Sequence, residues 1–121
     1  MPPDRSPRAD CLFCRIVRGE MPSRTVVDED DVLAFHDIAP RSPTHILVIP
    51  KAHIPSAADL TEDDGPLLGR LFATAAQIAR DQGIADGGYR IVSNVGAWGG
   101  QTVDHLHLHL MGGRAFDWPP G

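Results

Sequence analysis

Three histidines alternate with leucines in residues 105–111, His-Leu-His-Leu-His-Leu-Met. Because a β-strand directs successive side chains to opposite faces, we expect His105, His107 and His109 to share one surface while the leucines pack on the other. Adjacent imidazoles gain no hydrophobic free energy and repel one another when they are protonated. The pattern therefore predicts a chemical role for the histidine face.

Two kinds of chemistry suit such a row of imidazoles: a metal site, or a nucleophilic histidine with helpers. Alternate residues of a strand lie about 6.6 Å apart and a zinc–nitrogen bond measures about 2.0–2.1 Å, so at most two neighbours can bind one ion. The spacing thus favours a division of roles. His107, with a polar neighbour on each side, is best placed to attack a phosphate, and a carbonyl that accepts from its Nδ1–H leaves Nε2 free.

A glycine-rich segment, Gly99-Gly100-Gln101-Thr102, lies just before the histidines. Glycine allows close approach of a ligand to the backbone, and an amide and a hydroxyl can donate hydrogen bonds to phosphate oxygens or to a departing group. A double glycine equally marks an ordinary hairpin turn. Its position beside the histidines favours phosphate binding.

Cys11 and Cys14 have the Cys-x-x-Cys spacing that is common to zinc sites and redox pairs. Zinc is the better interpretation in a chain without a thioredoxin-like βαβ pattern and with an expected cytosolic location. Two thiolates fill half of a tetrahedral site, and imidazole nitrogens are their natural complement. The alternative is that both cysteines are small buried hydrophobic residues beside Phe13.

The composition is that of one globular domain, with 121 residues, 42% of them hydrophobic, and a formal net charge of −5. No cluster of lysine and arginine provides a footprint for a nucleic-acid polymer, whereas a small phosphorylated ligand is compatible. No apolar run has the length of a membrane span, so we expect no membrane partner and a cytoplasmic location. Residues 1–10 are predicted to form a flexible tail, and residues 11–121 a single domain.

The order of elements predicts an α+β fold rather than a βαβ repeat. Apolar residues from Leu67 to Ala79 recur at helical spacing, with Thr61 or Asp64 as the start cap and Gly83 as the C′ glycine, and this helix should lie against the sheet. A helical turn is expected after Cys14. Five strands are predicted, over residues 24–29, 32–38, 44–49, 89–94 and 104–111.

The segment from Gly99 to Met111 resembles the signature of the histidine-triad (HIT) superfamily, and the likeness covers nearly all of residues 11–121. Residues 35–38, 43–51 and the ending Trp-Pro-Pro-Gly of residues 118–121 resemble the Hint branch in particular. The resemblance implies a HIT fold with a five-stranded antiparallel sheet, one long helix and a short N-terminal helix, in a two-fold dimer. It also implies hydrolysis of purine nucleoside 5′-phosphoramidates through a nucleotidyl-histidine intermediate.

The resemblance also implies roles for individual residues. His107 is the implied nucleophile, with His109 contacting the phosphate and with His105 and His45 in support. Asp37 and Ile38 resemble the contacts to the ribose and the base, and a carboxylate can indeed accept from two ribose hydroxyls. Contacts to the phosphate and leaving group are implied for Asn94, Gly100, Gln101 and Thr102.

Two further features follow from the resemblance. The C-terminal segment with Trp118 is implied to reach the active site of the other subunit and to shape the leaving-group pocket. The cysteine pair and these histidines also resemble an arrangement found in some HIT branches and in the related galactose-1-phosphate uridylyltransferases. This resemblance implies a structural zinc held by Cys11, Cys14, His53 and His105.

Three functions remain open at this point. The first is a purine nucleoside phosphoramidase, and the second is a diadenosine polyphosphate hydrolase or phosphorylase with the same nucleophile. The third is a non-catalytic purine-nucleotide-binding scaffold. Many Hint proteins lack both cysteines and have an aromatic residue in place of Asp104, and this departure bears on specificity rather than on fold.

Overall fold

The computed structural model describes residues 4–121 as one antiparallel sheet flanked by helices. The strands lie in the order β1-β2-β3-β5-β4, and every neighbouring pair is antiparallel. Two short 3₁₀ turns precede the long helix. In chain order the main elements are α1 (Leu12–Val17), β1 (Thr25–Asp28), β2 (Val32–His36), β3 (Thr44–Pro50), α2 (Gly65–Asp81), β4 (Tyr89–Val92) and β5 (Leu108–Gly112). This confirms the predicted α+β class with its five strands, long helix and short N-terminal helix.

Strand alternation divides the core into two layers, one on each face of the sheet. On one face, Ile46 and Val48 of β3 pack with residues of α2 and with Leu106, Leu108 and Leu110. On the other face, Leu47 and Ile49 pack with Phe13 and Cys14 of the short helix. Each fully buried aliphatic side chain stabilises the fold by about 1.5–3 kcal/mol. The long helix therefore holds the sheet from behind, and α1 holds the face that carries the histidines.

The helix α2 agrees with its predicted apolar stripe, since Leu71, Ala75 and Ile78 are buried. Gly83 adopts a φ of +75°, which confirms it as the C′ glycine. The predicted start cap is confirmed in position. Asp64 occupies the N-cap position, but its carboxylate accepts from the backbone N–H of Thr61 at 3.0 Å and makes no cap hydrogen bond to α2.

Most strand ends differ from the prediction by one or two residues, and two boundaries near the histidines differ in a way that bears on the site. The last strand begins at Leu108 rather than at residue 104, because the preceding residues leave the sheet and the N–H of Leu106 donates to the carbonyl of Ile54 at 2.6 Å. The short helix begins at Leu12, before Cys14 rather than after it, and the sulfur of Cys11 caps its start. Alternation nevertheless continues through residues 105–110, so the histidines remain opposite the leucines.

The N-terminal segment contacts the domain at Arg5. The Arg5 guanidinium lies 2.6 Å from the carboxylate of Asp64, and the Arg5 carbonyl accepts from the backbone N–H of His53 at 2.8 Å. The ion pair lowers the pKa of Asp64 to about 2. Of the predicted tail, residues 1–3 lie outside the described residues.

Between residues 4 and 121, none of the helices is both long enough and apolar enough to cross a membrane.

Candidate functional site

A cavity of about 240 Å³ opens between α1, the end of β2 and the histidine segment. Its apolar wall comes from the short helix and the two central strands, and its polar end is formed by imidazoles. Asp37 and Ile38 lie at its rim, and Ile38 is 98% exposed. The residues that line it include Phe13, Ile16, Phe35, Asp37, Ile38, Thr102, His107 and His109.

His107 is oriented by its own backbone neighbourhood. Its Nδ1 lies 2.6 Å from the carbonyl oxygen of His105, and a carbonyl can only accept, so Nδ1 carries the proton. The ring of Phe13 packs edge-on against it at a centroid distance of 5.1 Å. Nε2 of His107 is therefore left with a free lone pair, as a nucleophile requires.

A second chain of hydrogen bonds sets the proton of His109. The backbone N–H of Arg41 donates to Nδ1 of His45 at 3.0 Å, so His45 carries its proton on Nε2. That Nε2 lies 2.9 Å from Nδ1 of His109 and 3.4 Å from the carboxylate of Asp37. His109 thus accepts at Nδ1 and keeps its own proton on Nε2, where it can donate to a phosphate oxygen.

Burial favours the neutral form of His45 and His109. It lowers the pKa of His109 to about 4, with smaller contributions from the neighbouring rings of His107 and His45. Burial also lowers the pKa of His45, and the nearby Asp37 carboxylate opposes that shift. At neutral pH His45 and His109 consequently form a neutral donor–acceptor pair.

Cys11, Cys14, His53 and His105 form a separate buried cluster. Nδ1 of His105 lies 3.4 Å from Sγ of Cys11 and 3.6 Å from Sγ of Cys14. Nδ1 of His53 lies 3.2 Å from Sγ of Cys14. The four ligand atoms lie within 4.8 Å of one another, which is close enough to hold one ion.

The donor set of this cluster fits zinc. Two thiols and two imidazoles are a common tetrahedral zinc set. Nε2 of His105 donates to the carbonyl of Pro50 at 2.8 Å, the type of outer hydrogen bond that leaves the other ring nitrogen free for a metal. The Sγ of Cys11 accepts from the backbone N–H of Cys14 at 3.4 Å. Without a metal, burial raises the pKa of the Cys11 thiol and lowers that of His105 to about 4.

Asp37, His45 and His109 form a second group whose polar atoms are close enough for a metal. A metal on Nε2 of His45 would move that proton to Nδ1, where it would face the backbone N–H of Arg41. Since two donors cannot share one hydrogen bond, the group is better explained as the hydrogen-bonded chain described above.

The glycine-rich loop is braced by its own side chains. The Gln101 amide accepts from the N–H of Gly96 at 2.9 Å and donates to the carbonyls of Pro55 and Val103. Asn94 donates to the Gly99 carbonyl at 2.7 Å. Gly100 has a φ of +81°, which favours glycine. Of the four predicted loop residues, the structure places Thr102 in the wall of the cavity, while the Asn94 and Gln101 side chains bond within the loop or to residue 55.

Comparison with known proteins agrees with this architecture. The HIT domain family matches residues 18–116. The chain belongs to the HIT family. It is 47% identical over 105 residues to the purine nucleoside phosphoramidase of Escherichia coli K12, a match that covers 87% of this chain and 88% of that protein.

Two other HIT proteins extend the comparison. An uncharacterized HIT-like protein of Synechococcus elongatus is 49% identical over 112 residues, which is 93% of this chain and 97% of that protein. The crystal structure of a HIT family hydrolase from Legionella pneumophila superposes with a TM-score of 0.91 at 48% identity, covering 93% of this chain and all of that one (100%).

Trp118 lies away from the cavity of its own HIT domain. It is 84% exposed. The preceding residues are held on the far edge of the sheet, where Arg90 of β4 donates to the Asp117 carbonyl at 2.7 Å and lies over the ring of Phe116. This anchor directs Trp118 outward from the edge strand.

Several contributors to the HIT site were not singled out from the sequence. Phe13, Ile16 and Phe35 line the cavity, and the spacing of Leu12, Phe13 and Ile16 on a short helix was the available signal. The Arg41 N–H and the Pro50 carbonyl set histidine tautomers. Backbone groups leave no mark in the residue type, so this role requires coordinates.

Proposed function

We propose that this HIT-family hydrolase cleaves the phosphorus–nitrogen bond of purine nucleoside 5′-phosphoramidates through a covalent nucleotidyl intermediate on His107. The observation that carries the proposal is the pair of tautomers in the cavity: His107 presents a lone pair on Nε2, and His109 presents a donor on Nε2. The 47% identity to an E. coli protein named purine nucleoside phosphoramidase supports the choice of substrate.

The reaction divides into two displacements at phosphorus. In the first, Nε2 of His107 attacks the phosphorus and the bond to the leaving nitrogen breaks; the amine departs with that electron pair and takes a proton from solvent. In the second, water attacks, the bond to Nε2 breaks, and the electron pair returns to the imidazole while the water proton goes to solvent. The products are the nucleoside monophosphate and the amine, and one difficult step has become two easier ones.

Asp37 and the apolar wall are proposed to hold the nucleoside. One Asp37 oxygen accepts from the backbone N–H of Ala39 at 2.8 Å, and a carboxylate has enough lone pairs left to accept from both ribose hydroxyls. Phe13, Ile16 and Ile38 offer an apolar surface on which a flat base can rest. Neutral His109 and the hydroxyl of Thr102 are proposed to donate to the phosphate and to the departing group.

The test is hydrolysis of an adenosine 5′-phosphoramidate with a fluorescent amine, run beside diadenosine tetraphosphate, for the wild type and His107→Ala. We expect selective release of the amine by the wild type and none by the variant. Adenosine binding to both proteins is the control that the cavity is intact. Faster turnover of diadenosine tetraphosphate would favour the polyphosphate hydrolase, and nucleotide binding without any turnover would favour the scaffold.

We also infer that Cys11, Cys14, His53 and His105 hold a structural zinc. Such a metal ties the N-terminal segment to the sheet and supplies stability. Support comes from the buried donor set and from the bond between His105 and Pro50. A cytoplasmic location belongs to the same proposal, because thiols that bind metal must stay reduced.

A homodimer is the third part of the proposal. The strand β4 ends the sheet, and an edge strand can pair with another chain. Trp118 projects outward beside that edge with 84% of its surface exposed. We propose that a second copy covers it, so that each C-terminal segment approaches the cavity of the other subunit.

A further inference from the structure

We propose that His105 is a positioning residue through which the cysteine–histidine cluster controls the orientation of the nucleophile His107. The inference rests on the proposed role of His107 and on the proposed metal site. It adds a connection between the two that neither requires.

The ring of His105 is held from both ends. One nitrogen faces the sulfurs of Cys11 and Cys14 at 3.4 and 3.6 Å, and the other donates to the carbonyl of Pro50 at 2.8 Å. The residue is fully buried (0% exposed), so water cannot replace any of these partners. With its ring fixed in this way, His105 has little freedom to move its backbone.

The carbonyl of this same residue holds the nucleophile. It accepts from Nδ1–H of His107 at 2.6 Å. Sheet pairing does not position it, because β5 begins at Leu108. Nearby restraint comes from the N–H of Leu106, which donates to Ile54, and from the buried ring of His105. The cluster therefore supplies part of the rigidity that a strand ladder would otherwise give.

A second contact, made by Phe13, also connects the cluster to His107. Phe13 stands between the two cysteines in the chain, and its ring packs against His107 at 5.1 Å and against His105 at 5.9 Å. A metal on both thiols fixes the short helix that carries Phe13. Loss of the cluster thus loosens both contacts of the His107 ring, the hydrogen bond to the His105 carbonyl and the packing against Phe13.

The expected consequence is a loss of turnover that exceeds the loss of nucleoside binding, because the ribose contact of Asp37 stays intact while the Phe13 part of the base surface loosens. Asp37, which follows β2, accepts from the backbone N–H of Ala39 at 2.8 Å and lies near His45, and neither residue belongs to the cysteine–histidine cluster. A displaced or rotated nucleophile, by contrast, slows the chemical step directly.

The experiment compares full-length protein loaded with zinc, the same protein stripped by a chelator, and His53→Gln. His53 lies on a separate loop and contacts Cys14, so its substitution removes one ligand without changing the side chains of His105 and Phe13. Ser56→Ala is the matched control. It removes the hydroxyl that accepts from the N–H of Ala58 and so weakens the same loop without touching the cluster.

Three quantities are measured: the NMR signal of the His107 Nδ1–H proton, adenosine affinity, and kcat. Metal loss and His53→Gln should broaden or abolish the ring N–H signal and lower kcat about tenfold or more, with a smaller loss of adenosine affinity. Zinc should restore the stripped wild type, and Ser56→Ala should resemble the loaded protein.

Two kinds of result would overturn the inference. The first is an unchanged His107 signal and kcat after the metal has left, or no zinc binding at all. The second is collapse of the whole fold on metal loss, seen by circular dichroism, because the cluster would then act on the domain rather than on one ring. If the loaded protein does not hydrolyse phosphoramidate but its ring signal responds to zinc, the proposed substrate is wrong and the positioning role stands.

Discussion

His45 donates from Nε2 to Nδ1 of His109 across 2.9 Å, and this bond determines where His109 can act. The direction follows from the backbone N–H of Arg41, which already donates to the other nitrogen of His45. A residue 64 positions away in the chain therefore sets the proton of a residue in the cavity.

Replacement of His45 tests this relationship. His45→Ala leaves Nδ1 of His109 without a donor and should lower kcat by about 100-fold through loss of orientation. His45→Gln should recover part of that loss, because an amide can accept from Arg41 and donate to His109. Steady-state kinetics with adenosine binding as the control gives the answer. Equal rates for the two variants would contradict the proposed direction of the hydrogen bond.

The low pKa of His109 predicts acid sensitivity. The unfolded chain takes up a proton near the ordinary histidine value of 6.5, whereas folded His109 does so at about 4. Between these values the unfolded state binds more protons, so the free energy of unfolding should fall as the pH is lowered from 6.5 towards 4. Denaturant unfolding at several pH values measures this change in the free energy of unfolding. His109→Asn should show a shallower slope, and an equal slope would show that His109 is not the group responsible.

Metal analysis can show which of the two histidine groups binds zinc. About one zinc per chain is expected in the wild type, and Cys11→Ser should lose it and unfold at a lower temperature. His45→Ala should keep its zinc, because His45 belongs to the hydrogen-bonded chain and not to the thiol cluster. Metal-free wild type of normal stability would remove the zinc proposal, and zinc loss from His45→Ala would reassign the site.

Deletion of residues 116–121 tests the role of Trp118. A C-terminal segment that completes the neighbouring cavity should influence the choice between small and bulky amine leaving groups. Removal of residues 119–121 alone keeps Trp118 and serves as the control. Relative kcat/KM values for several amines are compared, and sedimentation of both proteins reports the oligomeric state. Unchanged selectivity in the longer deletion would exclude this role for Trp118.

Local patterns in the sequence were enough to predict the main elements. The stripe from Leu67 to Ala79 identified α2, and alternation at residues 105–110 identified the two faces, because helical and strand periodicity depend on nearest neighbours alone. Errors occurred where long-range contacts intervene. The last strand begins at Leu108 and not at residue 104, because the N–H of Leu106 donates to the carbonyl of Ile54, which is far away in the chain.

The candidate site shows the same division. Residue types and their spacing along one strand are enough to predict the HIT motif, the Cys-x-x-Cys pair and different roles for His105 and His107. Which nitrogen of each imidazole carries a proton depends instead on contacts made in the folded chain. Those protons are set by the carbonyls of His105 and Pro50 and by the N–H of Arg41. Every residue has a backbone carbonyl and every residue except proline has a backbone N–H, so the residue type does not show which of these groups folding brings to an imidazole.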